Sequence, residues 1–427
     1  MTDDDARALA QKLSQEWHAR PRINLPTLFR CTHVVELGDA SVLAAGRARL
    51  VDYCRRSGQS GPASDASFHL ACADDSFVRW EQHTEFVTHS VFQASDGSAP
   101  FAAIPFEGLE AEFRAGLLAS RFFGTRIEVV RPPASDPTGH ALARTLFGAG
   151  EVYGGRMSAG TAIVWSAFQP DADGFTRILI VSAGGHDERL SRLTHRLLDL
   201  ESYRILAMMG LPVARAVMAS LSGHEREMDA IMGQLQDARA SEQEEAALQS
   251  ITRLASLVEH MAFGNAFRFA ASRAYARIAE RRCEEVDEVV LDDHQRFTQF
   301  LLRSLQPAMR TCEAAELRMQ RIAEQTARAA GILETMAEVS QKRQNQEIMR
   351  SLAKSASLQV ELQQAVEGFS IFAISYYVVG LLGYVLKWLK TTGIGVSLEA
   401  LTGAAVPFIV LLVWAFVVRA RRRIGHG

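Results

Sequence analysis

The fold of this chain is decided by one stretch near its carboxyl end, FSIFAISYYVVGLLGYVL at residues 369–386. A second apolar stretch, LTGAAVPFIVLLVWAFVV, follows at residues 401–418. Neither contains a charged residue. Each is about eighteen residues long, which at a helical rise of about 1.5 Å per residue nearly crosses a hydrocarbon layer of about 30 Å. The sequence therefore predicts two transmembrane helices that contact the lipid bilayer and are joined by a short polar loop.

Positive charge indicates the orientation of these helices. Arg419 and three further arginines at 421–423 follow the second stretch, and they outweigh Lys387 and Lys390 in the connecting loop. Basic residues at membrane ends favour the cytoplasmic side. Residues 1–22 contain three aspartates and no apolar segment of the signal-peptide kind. We therefore expect a multi-pass protein of the inner membrane with both termini, and everything before residue 369, in the cytoplasm.

One face of the first apolar helix has small and hydroxyl-bearing side chains, because Tyr376, Gly380, Gly383 and Lys387 fall close together at about 100° per residue. Small residues mark places where membrane helices approach closely. This face would pack against the second apolar helix of the same chain, against neighbouring subunits of a homo-oligomer, or along a water-lined path. In the loop, Glu399 is a candidate for an ion-attracting ring, or else an ordinary solvated residue.

Composition limits the possible functions of the rest of the chain. The protein has 427 residues, 48% of them hydrophobic, enough for two or three folded parts. A net charge of −3 gives no indication of a nucleic-acid partner. The cysteines lie far apart with no Cys-x-x-Cys pair, so we expect buried, free thiols in a reducing cytosol; they are Cys31, Cys54, Cys72, Cys283 and Cys312.

Residues 1–185 show the alternation that is typical of strands, interrupted by turn residues and a few amphipathic segments. We predict an antiparallel or mixed sheet with helices packed on it. The predicted strands are Cys31–Leu37, Ser67–Ala73, Phe77–Val87, Phe122–Val130, one or two within Gly148–Ala167, and Phe175–Ser182. The predicted helices are Ser41–Arg56 and Glu110–Ser120.

From residue 186 onward apolar residues recur at helical spacing. We predict a helical bundle at 186–345, a stalk helix at 346–368, the transmembrane hairpin at 369–418 and a basic cytosolic tail at 419–427. The polar run Ser340–Glu347 indicates either a solvent-facing stretch or a loop. The predicted fold class is therefore an α+β cytosolic domain, then a helical bundle and stalk, then two carboxyl-terminal transmembrane helices.

Few residues of the sequence suggest a catalytic or metal-binding role. On a strand, His83 and Glu85 would share a face, which is the spacing of a metal pair, but no third ligand lies at a telling distance and a structural pair is the simpler interpretation. Similarly, Glu16, His18 and Arg20 alternate before Pro21, and we interpret them as a structural anchor. Phosphate-loop, Rossmann, kinase and hydrolase motifs do not occur. The sequence predicts no catalytic, cofactor or metal site, and a protein that is not an enzyme.

Four separated blocks of the sequence resemble a bacterial membrane-anchored family defined by a domain of unknown function, number 3422. They are Glu16-x-His18-Ala19-Arg20-Pro21, Trp80 to Phe86, Arg192 to Arg204, and Val366 to Ser370 continuing through Ser375 to Gly380. The resemblance covers almost the whole chain and implies a bacterial inner-membrane protein, but no chemistry.

The order of the predicted parts is also similar to that of the CorA family of magnesium channels, which implies an oligomer around a pore. The Gly-Met-Asn signature of that family is missing, and Tyr384 to Trp388 occupies its place. In that position Lys387 would repel a divalent cation.

Two hypotheses follow. The first is a CorA-like oligomeric ion channel or transporter that lacks the Gly-Met-Asn filter. The alternative is a membrane-anchored scaffold or sensor that transports nothing and whose cytosolic domain binds a partner. The small-molecule or ion ligand is not identified by the sequence in either case. Two apolar helices per subunit cannot enclose a pore, so the first hypothesis requires an oligomer.

Overall fold

A computed structural model describes Arg7 and residues 25–424, apart from 74–75, 103–105, 107, 149, 238–240, 292–293 and 392–397. The chain divides into two compact units. The first comprises residues 1–233 and 250–328, and the second comprises residues 234–249 and 329–427.

The first unit is built on an eight-stranded mixed sheet with the order β2-β3-β4-β1-β5-β8-β7-β6. All neighbouring strands are antiparallel except β5 and β8, which are parallel. The strands are β1 Phe29–Leu37, β2 Phe68–Ala73, β3 Ser76–Gln82, β4 Phe86–Ala94, β5 Phe123–Val130, β6 Tyr153–Met157, β7 Ala162–Pro170 and β8 Phe175–Val181.

Three helices are interspersed with the strands, and the remaining helices follow them. The interspersed helices are α1 Ala40–Arg56, α2 Ala111–Ser120 and α3 His140–Phe147. The later helices are α4 Asp187–Met208, α5 Gly210–Asp237, α6 Ser241–Glu285, α7 Phe297–Thr391 and α8 Leu398–Ile424. The fold is thus an amino-terminal α/β sheet domain followed by a mostly helical region with long apolar helices, which confirms this part of the predicted fold class.

Each strand alternates its side chains between the two faces of the sheet, so both faces have apolar residues to bury. Helices cover both faces. One face packs α1 and α2 around Val34, Trp80 and Phe113. The other packs α4 and the later helices of the first unit around Ile127, Leu197 and a larger group of buried apolar residues. The spacing Leu190, Leu193, Leu197, Leu200 gives α4 the buried stripe that this contact requires.

The change from strands to helices falls at the predicted boundary of residues 185 and 186, but the core does not divide there. Leu193 and Leu197 of α4 belong to the same buried cluster as Cys31 of β1 and Ile178 of β8. The sheet and the helical residues 187–233 and 250–328 therefore belong to one folded unit.

Two detailed predictions are wrong. The segment predicted as the single strand Phe77–Val87 forms parts of two strands, β3 and β4, and the His83 N–H donates to the Phe86 carbonyl at 2.8 Å to close the turn between them. The alternation of apolar residues continues through this turn, which has no glycine, proline or asparagine to indicate it. Among the cysteines, Cys72 is exposed, whereas the other four are buried.

In the second unit, the polar run 340–347 is helical, and its residues 341–347 are exposed. The run is part of α7, which continues without a break to Thr391. Beyond residue 368, the positions of α7 that are not fully exposed are Ile371, Ser375, Val379, Leu382, Gly383 and Leu386. Tyr376 is 78% exposed, and no atom lies within 4 Å of a Cβ built on Gly380 or Gly383. Tyr376 and Gly380 of the predicted small-residue face are therefore exposed, whereas Gly383 is partly covered.

Among the described residues, three helical stretches are long and apolar enough to cross a membrane: Asp187–Gly233, Phe297–Trp388 and Leu401–Arg419. In the most apolar segment of the first stretch, 33% of the residues are buried, whereas 6% are buried in the corresponding segment of each of the other two. The first stretch belongs to the packed core of the first unit. Its length and composition are thus explained by burial within the protein.

Candidate ligand-binding cleft

A cleft of about 350 Å³ opens in the first unit between the end of β7 and the helices α4 and α7. This volume lies at the small end of the range for small-molecule sites. The apolar lining consists of Ala167, Phe168, Met208, Phe300, Leu301 and Leu305. The polar lining consists of Glu151, Tyr153, Gln169, Arg204 and Ser304. We call this site the Arg204 cleft.

A bulge in β7 forms one wall of the cleft. The pairing of β7 with β8 shifts register between Ser166 and Pro170, and Phe168 has a left-handed backbone with φ of 55°. Aromatic residues rarely adopt this conformation. The Ser166 hydroxyl stabilises it by donating to the Arg177 carbonyl at 2.7 Å and accepting from the Phe168 N–H at 3.0 Å. As a result both Ala167 and Phe168 line the cleft, although regular alternation would put neighbouring side chains on opposite faces.

Aromatic rings from the sheet and from α7 stack along this wall. The Phe300 ring lies 3.9 Å from the Tyr153 ring and 5.0 Å from the Phe168 ring, with interplanar angles of 24° and 18°. Phe297, which is fully buried, supports Phe168 from behind at 4.6 Å. Rings at these distances attract one another beyond the area that they bury. The wall is therefore rigid and apolar.

A guanidinium group lies at one end of the aromatic wall. The Arg204 Nε and Nη2 donate to the two carboxylate oxygens of Glu201 at 3.1 and 2.7 Å, and Glu201 is fully buried. The same guanidinium lies 5.7 Å from the Phe168 ring centre. Within the part of the chain that the structure describes, the Nη1 of Arg204 has no acceptor. One edge of the guanidinium is thus fixed, and the other is available to a ligand.

A second polar group occupies the opposite part of the lining. The Tyr153 hydroxyl donates to Glu151 Oε2 at 2.7 Å. This hydrogen bond, together with burial, raises the pKa of the Tyr153 phenol, so the hydroxyl stays protonated at neutral pH. The Glu151 side chain is exposed to solvent. The cleft therefore combines an acceptor on the solvent side with donors on Arg204.

A buried polar cluster lies between the sheet and α4. The His33 ring nitrogens lie 2.8 Å from Ser90 Oγ and 2.9 Å from Ser202 Oγ. Burial, with Arg79 nearby, lowers the pKa of His33 to about 3, so its ring is neutral. The cavity beside it has only about 10 Å³, close to the space of one water molecule. This cluster connects β1, β4 and α4 and leaves no room for an organic ligand.

On the other face of the sheet, His89 and Glu36 are both completely buried. The His89 Nδ1 lies 3.4 Å from Glu36 Oε1, and Arg49 Nη2 donates to Glu36 Oε2 at 2.5 Å. Burial lowers the pKa of His89 to about 3 and raises that of Glu36, against the effect of Arg49. Since the imidazole is neutral, its contact with Glu36 is not an ion pair at neutral pH.

The predicted pair of His83 and Glu85 lies in the turn between β3 and β4, so the two residues do not share a strand face as predicted. Glu85 accepts two hydrogen bonds from Arg268 of α6, at 3.1 and 2.5 Å. The His83 ring stacks on Phe86 at 4.1 Å. The chain reverses between the two residues, which directs them to different partners. In the described ranges, no group of three or more His, Cys, Asp or Glu side chains is arranged to hold a metal ion.

Other predicted residues are not brought together with the cleft. Glu16, His18 and Arg20 lie outside the described residues. Tyr376, Gly380, Gly383 and Lys387 lie in α7 beyond the first unit, and Lys387 is exposed. The residue Glu399 lies at the start of α8.

The residues that line the cleft were not among the predicted site residues, although the sequence contains two signals of them. Arg204 ends one of the four blocks on which the family resemblance depends, and Tyr203 beside it is aromatic. Phe168 and Gln169 follow an alternating strand and precede Pro170, where a strand is expected to end or bulge. No spacing rule connects these positions with Phe300, because the fold alone brings them together.

The structure thus defines a class: proteins that join a mixed-sheet α/β domain with a small-molecule-sized cleft to long apolar helices. Within this class the chain belongs to the family described as protein of unknown function (DUF3422), whose model matches residues 6–424. This confirms the family resemblance. A search of curated proteins found no match.

Proposed function

We propose that this protein is a membrane-anchored sensor of the bacterial inner membrane. Residues 369–386 and 401–418 would cross the bilayer twice, with both termini in the cytoplasm. The first unit would bind a small ligand in the Arg204 cleft. In this proposal the protein is not an enzyme, and it has no resident cofactor.

Exposure of the apolar helices supports the membrane location. Phe369, Phe372 and Leu381 of α7 are between 65% and 75% exposed, and Phe408 and Leu412 of α8 are at least 70% exposed. A helix that is apolar on all sides belongs either in a protein core or in a membrane. Since so little of these stretches is buried within the chain, lipid is the environment that accounts for them.

The single observation that supports ligand binding is the half-occupied guanidinium of Arg204 at the end of a 350 Å³ aromatic cleft. A cavity that only resulted from loose packing would not need a fixed charged group. Here the fully buried Glu201 orients the guanidinium before any ligand arrives. Such preorganisation reduces the entropy lost on binding.

Membrane attachment is tested by fractionating cells that express the full chain. We expect the protein in the membrane pellet after washes with alkaline carbonate and with 4 M urea at about neutral pH, and release only by detergent. Reporter domains fused to either end should be active in the cytoplasm only. Release by carbonate alone, or a reporter active outside the cytoplasm, would contradict the proposal.

A second candidate function is an oligomeric channel of CorA-like architecture without the Gly-Met-Asn filter. It is favoured by the exposed Tyr376 and Gly380, which leave room for a neighbouring subunit. The mass of the detergent-purified particle tests it, since a monomer or dimer could not surround a pore. Ion flux through the protein in liposomes would favour this candidate over the sensor.

A further inference from the structure

We infer that the Arg204 cleft binds a small aromatic carboxylate, with its ring against the Phe168 and Phe300 wall and its carboxylate on Arg204. This inference depends on the proposed ligand-binding role of the cleft and specifies the chemical class of the ligand. It is independent of whether the apolar helices cross a membrane.

The geometry of Arg204 indicates the carboxylate. Glu201 occupies the edge formed by Nε and Nη2, which leaves both hydrogens of Nη1 and one hydrogen of Nη2 without a described acceptor. These donors lie in the plane of the guanidinium and match the two oxygens of a carboxylate. Glu201 is fully buried and cannot rotate away into water. The available edge is therefore held in place.

The hydrogen-bonding balance of the lining indicates an acceptor-rich ligand. The Tyr153 hydroxyl already donates to Glu151, so it has no further hydrogen to give. The Glu151 carboxylate is exposed, and solvent screens its repulsion of an anion. Glu201 partly neutralises the Arg204 guanidinium, but among the lining residues Arg204 is the cation, and its edge that faces away from Glu201 is the place where an anionic ligand would be held.

The apolar walls of the cleft indicate that the ligand contains an aromatic ring. Tyr153, Phe168 and Phe300 form a continuous stack, and Met208 and Leu305 complete the apolar lining. A flat ring fits against such a wall and adds ring-to-ring attraction to the area that it buries. The thioether of Met208 also makes favourable contacts with aromatic rings. A volume of about 350 Å³ accommodates one ring with a short side chain.

The test measures binding of 3-phenylpropionate to the full-length, detergent-purified protein by isothermal titration calorimetry. The comparison ligand is 3-phenylpropionamide, which has the same shape without the charge. Because hydrogen bonds to a charged group are stronger than neutral ones, we expect the carboxylate to bind at least about tenfold more tightly. Equal affinity for the two ligands, or no binding of the carboxylate at millimolar concentration, would overturn the inference.

Two variants assign the binding to the cleft. Arg204→Lys keeps a positive charge beside Glu201 but removes the second edge, so the preference for the carboxylate should fall to about threefold or less. Ser304→Phe places a ring in the cleft while Arg204 and Glu201 keep their identities, and binding of both ligands should be lost. The matched control is Gln299→Phe, an exposed position of α7 outside the lining, which should bind like the unmodified protein.

The outcomes distinguish the two levels of the proposal. Should the amide bind as tightly as the carboxylate and Ser304→Phe abolish both, the cleft binds ligands but the anion preference is wrong. Should Ser304→Phe bind normally, the ligand occupies another site and the inference fails. If Arg204→Lys does not fold, as shown by its thermal unfolding, the pair of ligands and the Ser304→Phe variant still decide the question. Membrane attachment is measured separately and is unaffected by any of these results.

Discussion

The stretch formed by α4 and α5, the helix α7 and the helix α8 each contain a segment long and apolar enough to cross a membrane, yet these segments lie in different surroundings. The first pair contains Leu197 and Leu206, which are fully buried against the sheet and the neighbouring helices. The second pair contains Leu381 and Phe408, which are 65% and 77% exposed. Every one of these stretches satisfies a length and hydropathy criterion for crossing a membrane.

The arrangement of charge accounts for this difference. In α4, the arginines 189, 192 and 196 alternate with the leucines of the buried stripe, so one side of the helix faces water. Residues 369–386 and 401–418 contain no charged residue on any side. An amphipathic helix can be satisfied by one apolar partner, whereas a helix that is apolar all round cannot. Periodicity therefore separates a core helix from a candidate membrane helix better than mean hydropathy does.

The largest expected effect comes from placing a carboxylate in each of the two regions. Leu197→Asp should unfold the first unit, because an unpaired buried charge costs more than the ~5–15 kcal/mol by which a domain is usually stable. In contrast, Leu381→Asp should leave the thermal unfolding of the first unit unchanged and reduce membrane insertion, at about 2.5–3.5 kcal/mol per charge near the middle of a bilayer. Thermal unfolding and membrane fractionation are measured on both variants. The comparison breaks down if Leu381→Asp lowers the unfolding temperature as far as Leu197→Asp does.

A smaller loss of stability is expected from adding a methyl group at Gly154, and no loss is expected at Gly380. A Cβ on Gly154 of β6 would lie 2.1 Å from the Trp165 ring, which is fully buried and cannot move aside. Gly154→Ala should therefore destabilise the first unit by about 1–3 kcal/mol. At Gly380 no atom lies within 4 Å of the added carbon, so Gly380→Ala should leave the unfolding of that unit unchanged. Denaturant midpoints measure both.

The Gly380→Ala variant also helps to choose between the sensor and the oligomeric channel. If the Tyr376 and Gly380 face contacts another subunit, Gly380→Ala should lower the mass of the detergent-purified particle while the first unit stays folded. If the particle mass is unchanged, this face has no close neighbour at Gly380, and the channel candidate loses its main support. Equal destabilisation by Gly154→Ala and Gly380→Ala would show that the apolar part of α7 is packed more tightly than its exposure indicates.

Much of the fold could be predicted from local pattern, because alternation and helical spacing are recorded in consecutive residues. Strands such as β1 and β8 and the helix α1 were predicted to within about two residues. The turn at His83 and Glu85 was missed because the alternation passes through it without a turn residue. The pairing of β1 with β4 and β5 depends on contacts between distant segments, which local pattern does not record.

The cleft was beyond the reach of sequence analysis for the same reason. Its lining extends from Glu151 to Leu305, and its shape depends on Phe168 adopting a left-handed backbone that no rule assigns to phenylalanine. The pairing of Arg204 with Glu201 at i, i+3 was visible in the sequence, but its burial was not. Similarly, the apolar stretches were predicted from composition, whereas the burial of Ser375 became visible only with the structure.

The last comparison concerns the pH dependence of the first unit, to which His195 contributes one part. Burial, with Arg79 nearby, lowers the pKa of His195 in α4 to about 4, although Glu81 opposes the shift. An unfolded histidine has a pKa near 6.5, so between about pH 6.5 and 4 the unfolded chain binds a proton that the folded chain does not. This contribution to stability is complete above pH 6.5 and is lost as the pH falls through that window. We expect the unfolding temperature of the first unit to fall between pH 7.5 and pH 5.0.

The variant His195→Leu isolates the pH-dependent contribution of His195 to stability. It keeps an apolar contact with Phe92, whose ring lies 5.6 Å from the imidazole. It should remove about 2 kcal/mol of the stability difference between pH 7.5 and pH 5.0. The lowered pKa values of His33 and His89 act in the same direction as that of His195, and the raised pKa values of the Glu36, Glu128 and Asp199 carboxyls act in the opposite direction. These groups are common to both proteins and cancel in the comparison. Residues 369–424 contain no histidine, so membrane attachment should not change over the same range. An unaltered pH dependence in His195→Leu would mean that the imidazole of α4 is solvated. The contrast between a packed α4 and the exposed apolar parts of α7 and α8 would then be overstated.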